Sequence, residues 1–458
     1  MKQAKVIPLY KKGIKSNPGN YRPVSILCVT SKILERIVHE QMYEYVNKQG
    51  LIYDFQSCLR KTYSTDSCLL YLTDFIRKEI DEGNLCGMVL LDLQKAFDTV
   101  NHCFLISKLE ALGLSSIPLG WVKSYLSGRE QVVKVNGSLS QAKPMSCGVS
   151  QGSVLGPLLF LLYINNMKDA CSCRLFLYAD DSTLLVSHKS KTMLESILST
   201  ELTNISKWLG DNKLSLHLGK TEAIVFGSRP KLSRSSEISV ELWGEVLTTK
   251  TSVSYLGCIL DGSLGGVSMA NNVLGKVNAR TRFLSRKSKL LDKDSMNVLA
   301  TALIQCHFDH ASTSWFGGLS KLMKGKLKIA QNKLIRVVLK VSPHTHIGRS
   351  CFQELNWLPV EARVSQIRLG LVYRSIYGPA PRYLSDYFPR VRDAHNHSTR
   401  SGVADVCLYR FRSNAGKGTF LYTGASEWNK LPLPIKTTSS LGSFKNKVKI
   451  CLISSVPI

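Results

Sequence analysis

Two adjacent carboxylates set in the turn of an apolar hairpin constrain this chain more than any other feature. The apolar runs Leu175–Tyr178 and Thr183–Val186 are separated by Ala179-Asp180-Asp181-Ser182. Short apolar runs flanking a turn read as paired strands. Carboxylates held beside buried strands are costly unless a counter-charge such as a metal ion offsets them. Asp is also an ordinary turn residue, so the pair alone leaves both readings open. A second site adds weight to the first. Gly87-Met-Val-Leu-Leu-Asp92-Leu93 is a continuous apolar run ending in a carboxylate, the pattern of a strand buried on both faces.

Carboxylates at strand ends and tight turns of one rigid sheet suit a particular chemistry. Nucleotidyl transfer asks for a hydroxyl, an α-phosphate and a leaving pyrophosphate held in line, with the developing charge neutralised. Two Mg²⁺ ions supply that neutralisation, and Mg²⁺ takes hard oxygen ligands from a few carboxylates and the substrate phosphates.

The charge balance agrees. Sixty Lys and Arg against 33 Asp and Glu give a net charge of +27 in 458 residues, a surface that attracts polyanions. The plainer alternative is a basic structural protein of the ribosomal sort. A hydrophobic content of 44% excludes a disordered chain. Thirteen cysteines occur with no C-x-x-C pair, so the spacing suggests neither a disulfide framework nor a zinc module, and the thiols read as reduced. The opening Met1-Lys2-Gln3-Ala4-Lys5 is no signal peptide, and the longest apolar run, Val154 to Ile164, is broken by Gly156-Pro157. No contact with a membrane is expected.

Patterning places helices at about Thr30–Lys48, Lys95–Leu112, Pro157–Lys168 and Lys191–Leu209. Strands are expected at Val132–Val135, before the Asn136-Gly137 turn, and at Glu222–Phe226, with a hairpin over Ser254–Leu260. In Leu319–Lys340 the residues Leu319, Leu322, Met323, Leu327, Ala330 and Leu334 form an apolar stripe, and Lys321, Lys324, Lys328 and Arg336 fill other positions. That charged face is either solvated or in contact with a duplex backbone.

At this point a resemblance becomes specific. Met88-Val-Leu-Leu-Asp92-Leu-Gln-Lys-Ala-Phe97-Asp98 resembles motif A of reverse transcriptases of the non-LTR (LINE-like) retrotransposon and group II intron type. Ser150-Gln151-Gly152-Ser153-Val154-Leu155-Gly156-Pro157 resembles motif B, and Leu177-Tyr178-Ala179-Asp180-Asp181 motif C. Val6 to Gly13 and Asn20-Tyr-Arg22-Pro23-Val-Ser resemble the fingers motifs, Leu214 to Glu222 motif D, and Tyr255-Leu-Gly-Cys-Ile-Leu260 the primer grip. Leu303 to Ala311 and Trp357-Leu-Pro359 to Tyr383-Leu384 resemble the segments downstream of the polymerase in LINE-like elements.

The resemblance implies an α/β (α+β) right-hand polymerase. Fingers would occupy 1–86 and the palm, with part of the fingers, 87–265, built on an antiparallel sheet backed by helices. A helical thumb would occupy 266–342 and a mixed C-terminal segment 343–458. It implies RNA-directed DNA polymerase activity, with Asp92, Asp180 and Asp181 holding two Mg²⁺ ions, or Mn²⁺ in their place. Lys220 would stand by the leaving pyrophosphate. Lys11, Lys12, Arg22 and Arg60 would meet nucleotide or template, Phe97 would reject a 2′-hydroxyl, and Gln151 and Gly152 would let the backbone approach the nascent base pair. Tyr255, Leu256 and Gly257 would form the primer grip. Implied partners are dNTPs, an RNA template (its own element's transcript) and a DNA primer or target site. The implied location is intracellular, the nucleus with a cytoplasmic ribonucleoprotein stage.

Some positions depart from the family. Cys58-Leu59 stand where Gly-Phe is usual, Thr62 where glycine is usual, and Ser150 where Pro is usual. A backbone needing positive φ at 58 or 62 would be strained by about 1 kcal/mol. The chain begins inside the first fingers motif, without the endonuclease such elements carry upstream. These features open a second reading, a catalytically inactive, nucleic-acid-binding relic. A group II intron-type enzyme is a third reading, opposed by the absence of C-x-x-C pairs. An RNA-dependent RNA polymerase fits poorly with an aromatic residue at 97. Two further constellations read as structural. Asp98 and His102 sit i, i+4 and suggest a capping or surface role for Asp98, and Cys306, His307 and His310 suggest helix packing rather than ligation.

Overall fold

A computed structural model describes residues 2–235, 237–391 and 404–455. Strands β1 (Gln3–Tyr10) and β2 (Tyr21–Ile26) pair antiparallel with Tyr10 opposite Tyr21, so the turn between them presents Lys11 and Lys12. Helix α1 (Val29–Lys48) lies where patterning expects it. Helix α2 (Thr65–Asp81) is not legible from patterning; a capping box between Ser64 and Ser67 starts it. Strand β3 (Leu85–Asp92) is the expected apolar run.

The helix expected from Lys95 begins only at α3 (His102–Ala111). Lys95 has a φ of 45°, outside the helical region, and the Asn101 side chain caps the helix by accepting from Phe104 N–H. Residues 94–98 therefore form a turn that holds Phe97 near the end of β3. Helix α4 (Ser116–Leu126) leads to β4 (Glu130–Val135), which returns to pair in parallel with β1, Val133 opposite Val6.

The second sheet carries the carboxylates. After α5 (Gly156–Ile164) come β5 (Arg174–Tyr178), β6 (Asp181–His188), α6 (Lys191–Asp211), β7 (Glu222–Phe226) and β8 (Thr249–Lys250). The spatial order is β8-β7-β3-β6-β5, with β3 central and antiparallel to both neighbours; only the short edge strand β8 runs parallel to its partner. Side chains alternate across β3 as the pleat requires. Leu85, Val89 and Leu91 enter one core with α5 and α6, while Cys86 and Met88 enter a second core with α2. Gly87 has a steric reason: a Cβ there would lie 2.5 Å from Leu198 Cδ1 of α6. This is the antiparallel sheet backed by helices expected for the palm.

The hairpin β9 (Ser252–Tyr255) and β10 (Cys258–Asp261) leads into the helical region, where α7 (Val267–Lys287) packs on α8 (Lys321–Leu339). Met323, Leu327, Ala330 and Leu334 face inward as the stripe predicts, but Leu322 is exposed and Leu319 precedes the helix. Neither α7 nor α8 contains a carboxylate, so every charged side chain on them is basic.

Residues 343–455 are mainly helical where described, with α9 (Val360–Tyr377), α10 (Phe420–Asn429) and α11 (Leu441–Ser454). Helix α2 ties them to the rest. Its buried Asp74 accepts from the Phe420 and Leu421 N–H groups at the start of α10, and burial pushes its carboxyl up to about 6. Arg77 donates to Ser314 O at 2.6 Å, and Asp81 accepts from Ser413 N–H at 2.6 Å. All thirteen cysteines are free thiols. Among the described residues no helix is long and apolar enough to cross a membrane.

Candidate active site

Antiparallel pairing of β3 with β6 places Asp92 directly opposite Asp181. Two residues separated by nearly ninety positions thus share one sheet edge, and the β5–β6 turn adds Asp180 beside them. The turn is tight enough to force Ala179 to a φ of 55°, a strained conformation of the kind concentrated at functional sites. Burial, then the charges of Asp180 and Asp92, push the Asp181 carboxyl up to about 6. Three converging carboxylates that repel one another are a site that favours a cation.

Lys220 is delivered to the same edge by local pairing. His217 N–H donates to Asp92 O at 2.8 Å and Gln94 N–H to Ser215 O at 2.8 Å, which fixes the segment after α6 alongside the end of β3. A short 3₁₀ turn, Leu218–Lys220, then aims Lys220 Nζ at Asp92 Oδ2, 3.0 Å away.

Asp92, Asp180 and Lys220 lie on the floor of a cleft of about 1010 Å³. Lys11, Lys12 and Arg22 line it from the first sheet, Asp92, Asp180 and Lys220 from the second, and Phe97, Gln151 and Gly152 from the connecting loops. Phe97 stacks on Phe160 of α5 with ring centroids 4.4 Å apart, so it forms a fixed wall. The expected nucleotide-site residues are therefore brought together, with exceptions.

Arg60 is one exception. Its guanidinium donates to the carbonyls of Tyr53 and Gln56 at 2.9 and 3.1 Å and lies 3.9 Å from the Tyr63 ring. One end of its guanidinium is engaged within its own loop, its Nε is buried without a partner among the described residues, and it does not line the cleft. Tyr255 is another: its side chain is buried beneath the sheet, with the hydroxyl 3.7 Å from Cys68 Sγ. The Leu256-Gly257 turn, with φ values of 47° and 78°, is half-buried at Leu256 and exposed at Gly257. Asp181, opposite Asp92 in the sheet, is not among the residues lining the cleft.

The loop before α5 is held from several sides. Ser25 N–H donates to Gln151 O at 2.7 Å, and Gly152, with a φ of 123°, has no room for a Cβ, which would lie 2.4 Å from Ser25 O. The close approach that glycine permits here is to the backbone of β2. Asp98 accepts from Gln151 Nε2 at 2.9 Å, and His102 Nε2 lies 2.8 Å from Gly148 O. Asp98 therefore neither caps α3 nor stands free on the surface. Glu35 of α1, almost wholly buried, accepts from Val154 N–H at 2.7 Å and Leu155 N–H at 3.2 Å at the start of α5. Patterning gives no signal for Glu35 beyond a lone carboxylate on an otherwise ordinary helix.

Positive φ occurs at Leu59 (54°) and Thr62 (73°), so the strain expected at 62 is present and that expected at 58 falls on the next residue. Cys306, His307 and His310 do not converge as ligands; His310 packs against Gly257, its Nε2 2.9 Å from where a Cβ would stand.

The family model described as reverse transcriptase (RNA-dependent DNA polymerase) matches residues 10–260. The chain is 28% identical over 383 residues to a probable RNA-directed DNA polymerase from transposon BS of Drosophila melanogaster, covering 80% of this chain and 41% of that protein. It is 28% identical over 348 residues to the RNA-directed DNA polymerase from mobile element jockey of the same organism, covering 73% of this chain and 37% of that protein. It thus spans about two fifths of the length of these relatives. A solved telomerase from Candida albicans aligns with 81% of this chain and 64% of its own at a TM-score of 0.39 and 14% identity. The family match takes in more than half of the chain and every carboxylate of the site: this chain belongs to the reverse transcriptase (RNA-dependent DNA polymerase) family, among its LINE-like members.

Proposed function

We propose that this chain is an RNA-directed DNA polymerase that adds deoxynucleotides to a primer 3′-hydroxyl on an RNA template. The observation that carries the proposal is the β3–β6 register, which sets Asp92 against Asp181 and beside Asp180 on the floor of a cleft rimmed by Lys11, Lys12, Arg22 and Lys220. Acidic floor and basic rim match the two ends of a metal-bound triphosphate.

The three carboxylates fit a pair of hard divalent ions, Mg²⁺ or Mn²⁺, because burial and then the charges of Asp180 and Asp92 raise the Asp181 carboxyl, and Lys220 is the one cation within ion-pair range of Asp92 among the described residues. Such ions, when bound, neutralise charge on the attacking and leaving oxygens. The protein's own groups do the rest. Lys11, Lys12 and Arg22 hold the triphosphate, Lys220 swings from Asp92 to protonate the leaving pyrophosphate, and Phe97 stands where a ribose 2′-hydroxyl would project. The basic outer faces of α7 and α8 take the backbone of the template–primer duplex. The template is the transcript of the element that encodes the chain, the primer is DNA at a target site, and synthesis takes place in the nucleus after a cytoplasmic ribonucleoprotein stage.

Purified full-length chain, given an RNA template, a DNA primer, dNTPs and Mg²⁺, extends the primer, and Asp180→Ala does not. Equal extension by both proteins, or none by either, would overturn the proposal.

A further inference from the structure

Away from the cleft, at the opposite end of β5 from the Asp180 turn, Cys171 and Cys173 precede the strand. Their Sγ atoms and a carboxylate oxygen of Glu201 all lie within 4.8 Å of one another. Glu201 belongs to α6 and is only 5% exposed. The Ser172 N–H, 3.1 Å from Oε2, and the Ser172 hydroxyl orient it, and among the described residues no Lys, Arg or His forms an ion pair with it. A buried carboxylate facing two thiols without a partner cation is an arrangement that a bound cation completes. Both cysteines are partly exposed, which leaves a path from solvent.

We propose that Cys171, Cys173 and Glu201 bind a thiophilic divalent ion of the Zn²⁺ class and thereby clip the base of β5 to α6. Tetrahedral Zn²⁺ with bonds of about 2.3 Å to sulfur and about 2.0 Å to oxygen needs ligands roughly 3.5–4 Å apart, so the trio closes by about 1 Å at most. Thiolates select Zn²⁺ over the Mg²⁺ suited to aspartates, which separates this site chemically from the active site. Separation in space is also large. The seven residue steps from Cys173 to Asp180 span about 23 Å at strand rise. Ser172 acts as the orienting group that metal-binding carboxylates ordinarily have. No fourth protein ligand joins the group among the described residues, so water takes the remaining position. Binding releases the thiol protons to solvent and requires no oxidant. The absence of C-x-x-C spacing hides this site from the sequence, because its third ligand comes from a helix that begins after β6.

The test uses the full chain, reduced and freed of metal, and does not depend on polymerase activity. With Zn²⁺ present, alkylation of Cys171 and Cys173, followed by mass spectrometry, slows by about tenfold or more, while the exposed Cys28 and Cys103 react unchanged. Co²⁺ as a probe gives thiolate-to-metal charge-transfer absorption that Cys171→Ser/Cys173→Ser loses, and Glu201→Gln weakens it. Because the alkylation readout is made on the unaltered protein, it stands even where a variant fails to fold. Equal alkylation with and without Zn²⁺, a Co²⁺ spectrum unchanged in the double variant, or recovery of a Cys171–Cys173 disulfide from the native protein would each overturn the site.

Discussion

Gln151 Nε2 donates to the Asp98 carboxylate at 2.9 Å, a side-chain bond that reinforces the backbone bonds joining the turn after β3 to the loop before α5 along the wall of the nucleotide cleft. Both residues line the cleft, and Asp98 is half-buried, with burial pushing its carboxyl up. Asp98 is thus a positioning residue for Gln151. Asp98→Ala is expected to raise the dNTP KM about tenfold while leaving kcat within a few-fold, the value of one charge-assisted hydrogen bond. Asp98→Asn, which keeps an acceptor oxygen, recovers most of the loss. Steady-state primer extension on a fixed template measures both; equal KM in the Ala and Asn variants removes the positioning role.

The stacked pair Phe97–Phe160 yields a prediction about sugar selection. Phe97 is fixed by its neighbour, so a ribonucleotide cannot push it aside without unstacking the rings. Phe97→Val should increase ATP incorporation relative to dATP by about ten- to a hundredfold, with dATP incorporation little changed. Competition assays with both nucleotides on a poly-U template segment report the ratio directly. An unchanged ratio would place the sugar elsewhere in the cleft.

Asp181 makes the site pH-dependent in a direction that can be worked out. Its carboxyl is raised in the folded protein to about 6, from 3.8, by burial and by Asp180 and Asp92. A raised acid favours the folded state below its unfolded value and loses that contribution as pH rises through about 6. In metal-free protein, Asp181→Asn should therefore stabilise the chain at pH 7.5 and have little effect at pH 4. The gain is on the order of 1 kcal/mol after solvent screening of this partly exposed group. Metal binding runs the other way: Mn²⁺ affinity, followed by electron paramagnetic resonance, should fall as pH drops through about 6. Asp181→Asn that destabilises at pH 7.5 would show that the carboxylate is held by partners rather than opposed by neighbours.

Strain at Thr62 offers a stability test. A β-branched residue at a φ of 73° crowds its own backbone, which glycine does not. Thr62→Gly should stabilise by about 1 kcal/mol in chemical denaturation, the relief of strain exceeding the entropy glycine adds to the unfolded chain. A loss of stability would mean that the Thr62 side chain contributes more than its backbone costs.

The carboxylates are legible in the sequence because each ends an apolar run, and strand periodicity fixes where such a run can stop. Glu222–Phe226 is legible to the residue for the same reason. A helix over Lys95–Leu112 is the wrong reading because its apolar spacing continues through a turn whose geometry depends on Gly148 and Val149, whose N–H groups donate to Val100 O and Phe97 O. Arg60 misleads because a basic residue in a fingers motif carries no mark of the carbonyls that will surround it. Glu35, Asp98 and the charged residues of α2 act through partners between about 50 and 350 positions away, a distance no local pattern spans. Sequence patterning therefore misses mostly the scaffold that positions the site, rather than the reacting groups.

That scaffold gives the last prediction. Asp74 sits fully inside the protein, accepts from the first two N–H groups of α10, and complements the positive end of that helix. Removing it leaves two buried donors unpaired, a loss of about 2–3 kcal/mol. Because α2 also packs under β3, the effect has two parts: Asp74→Ala should lower global stability and also open the chain around α10 to limited proteolysis. Asp74→Asn separates charge from hydrogen bonding, since it keeps one acceptor and removes the raised carboxyl. If the Ala variant loses stability without new cleavage near α10, Asp74 supports the core of the sheet and not the docking of the C-terminal helices. If cleavage appears first and polymerase activity falls with it, the C-terminal helices are a brace on which the sheet bearing Asp92 depends.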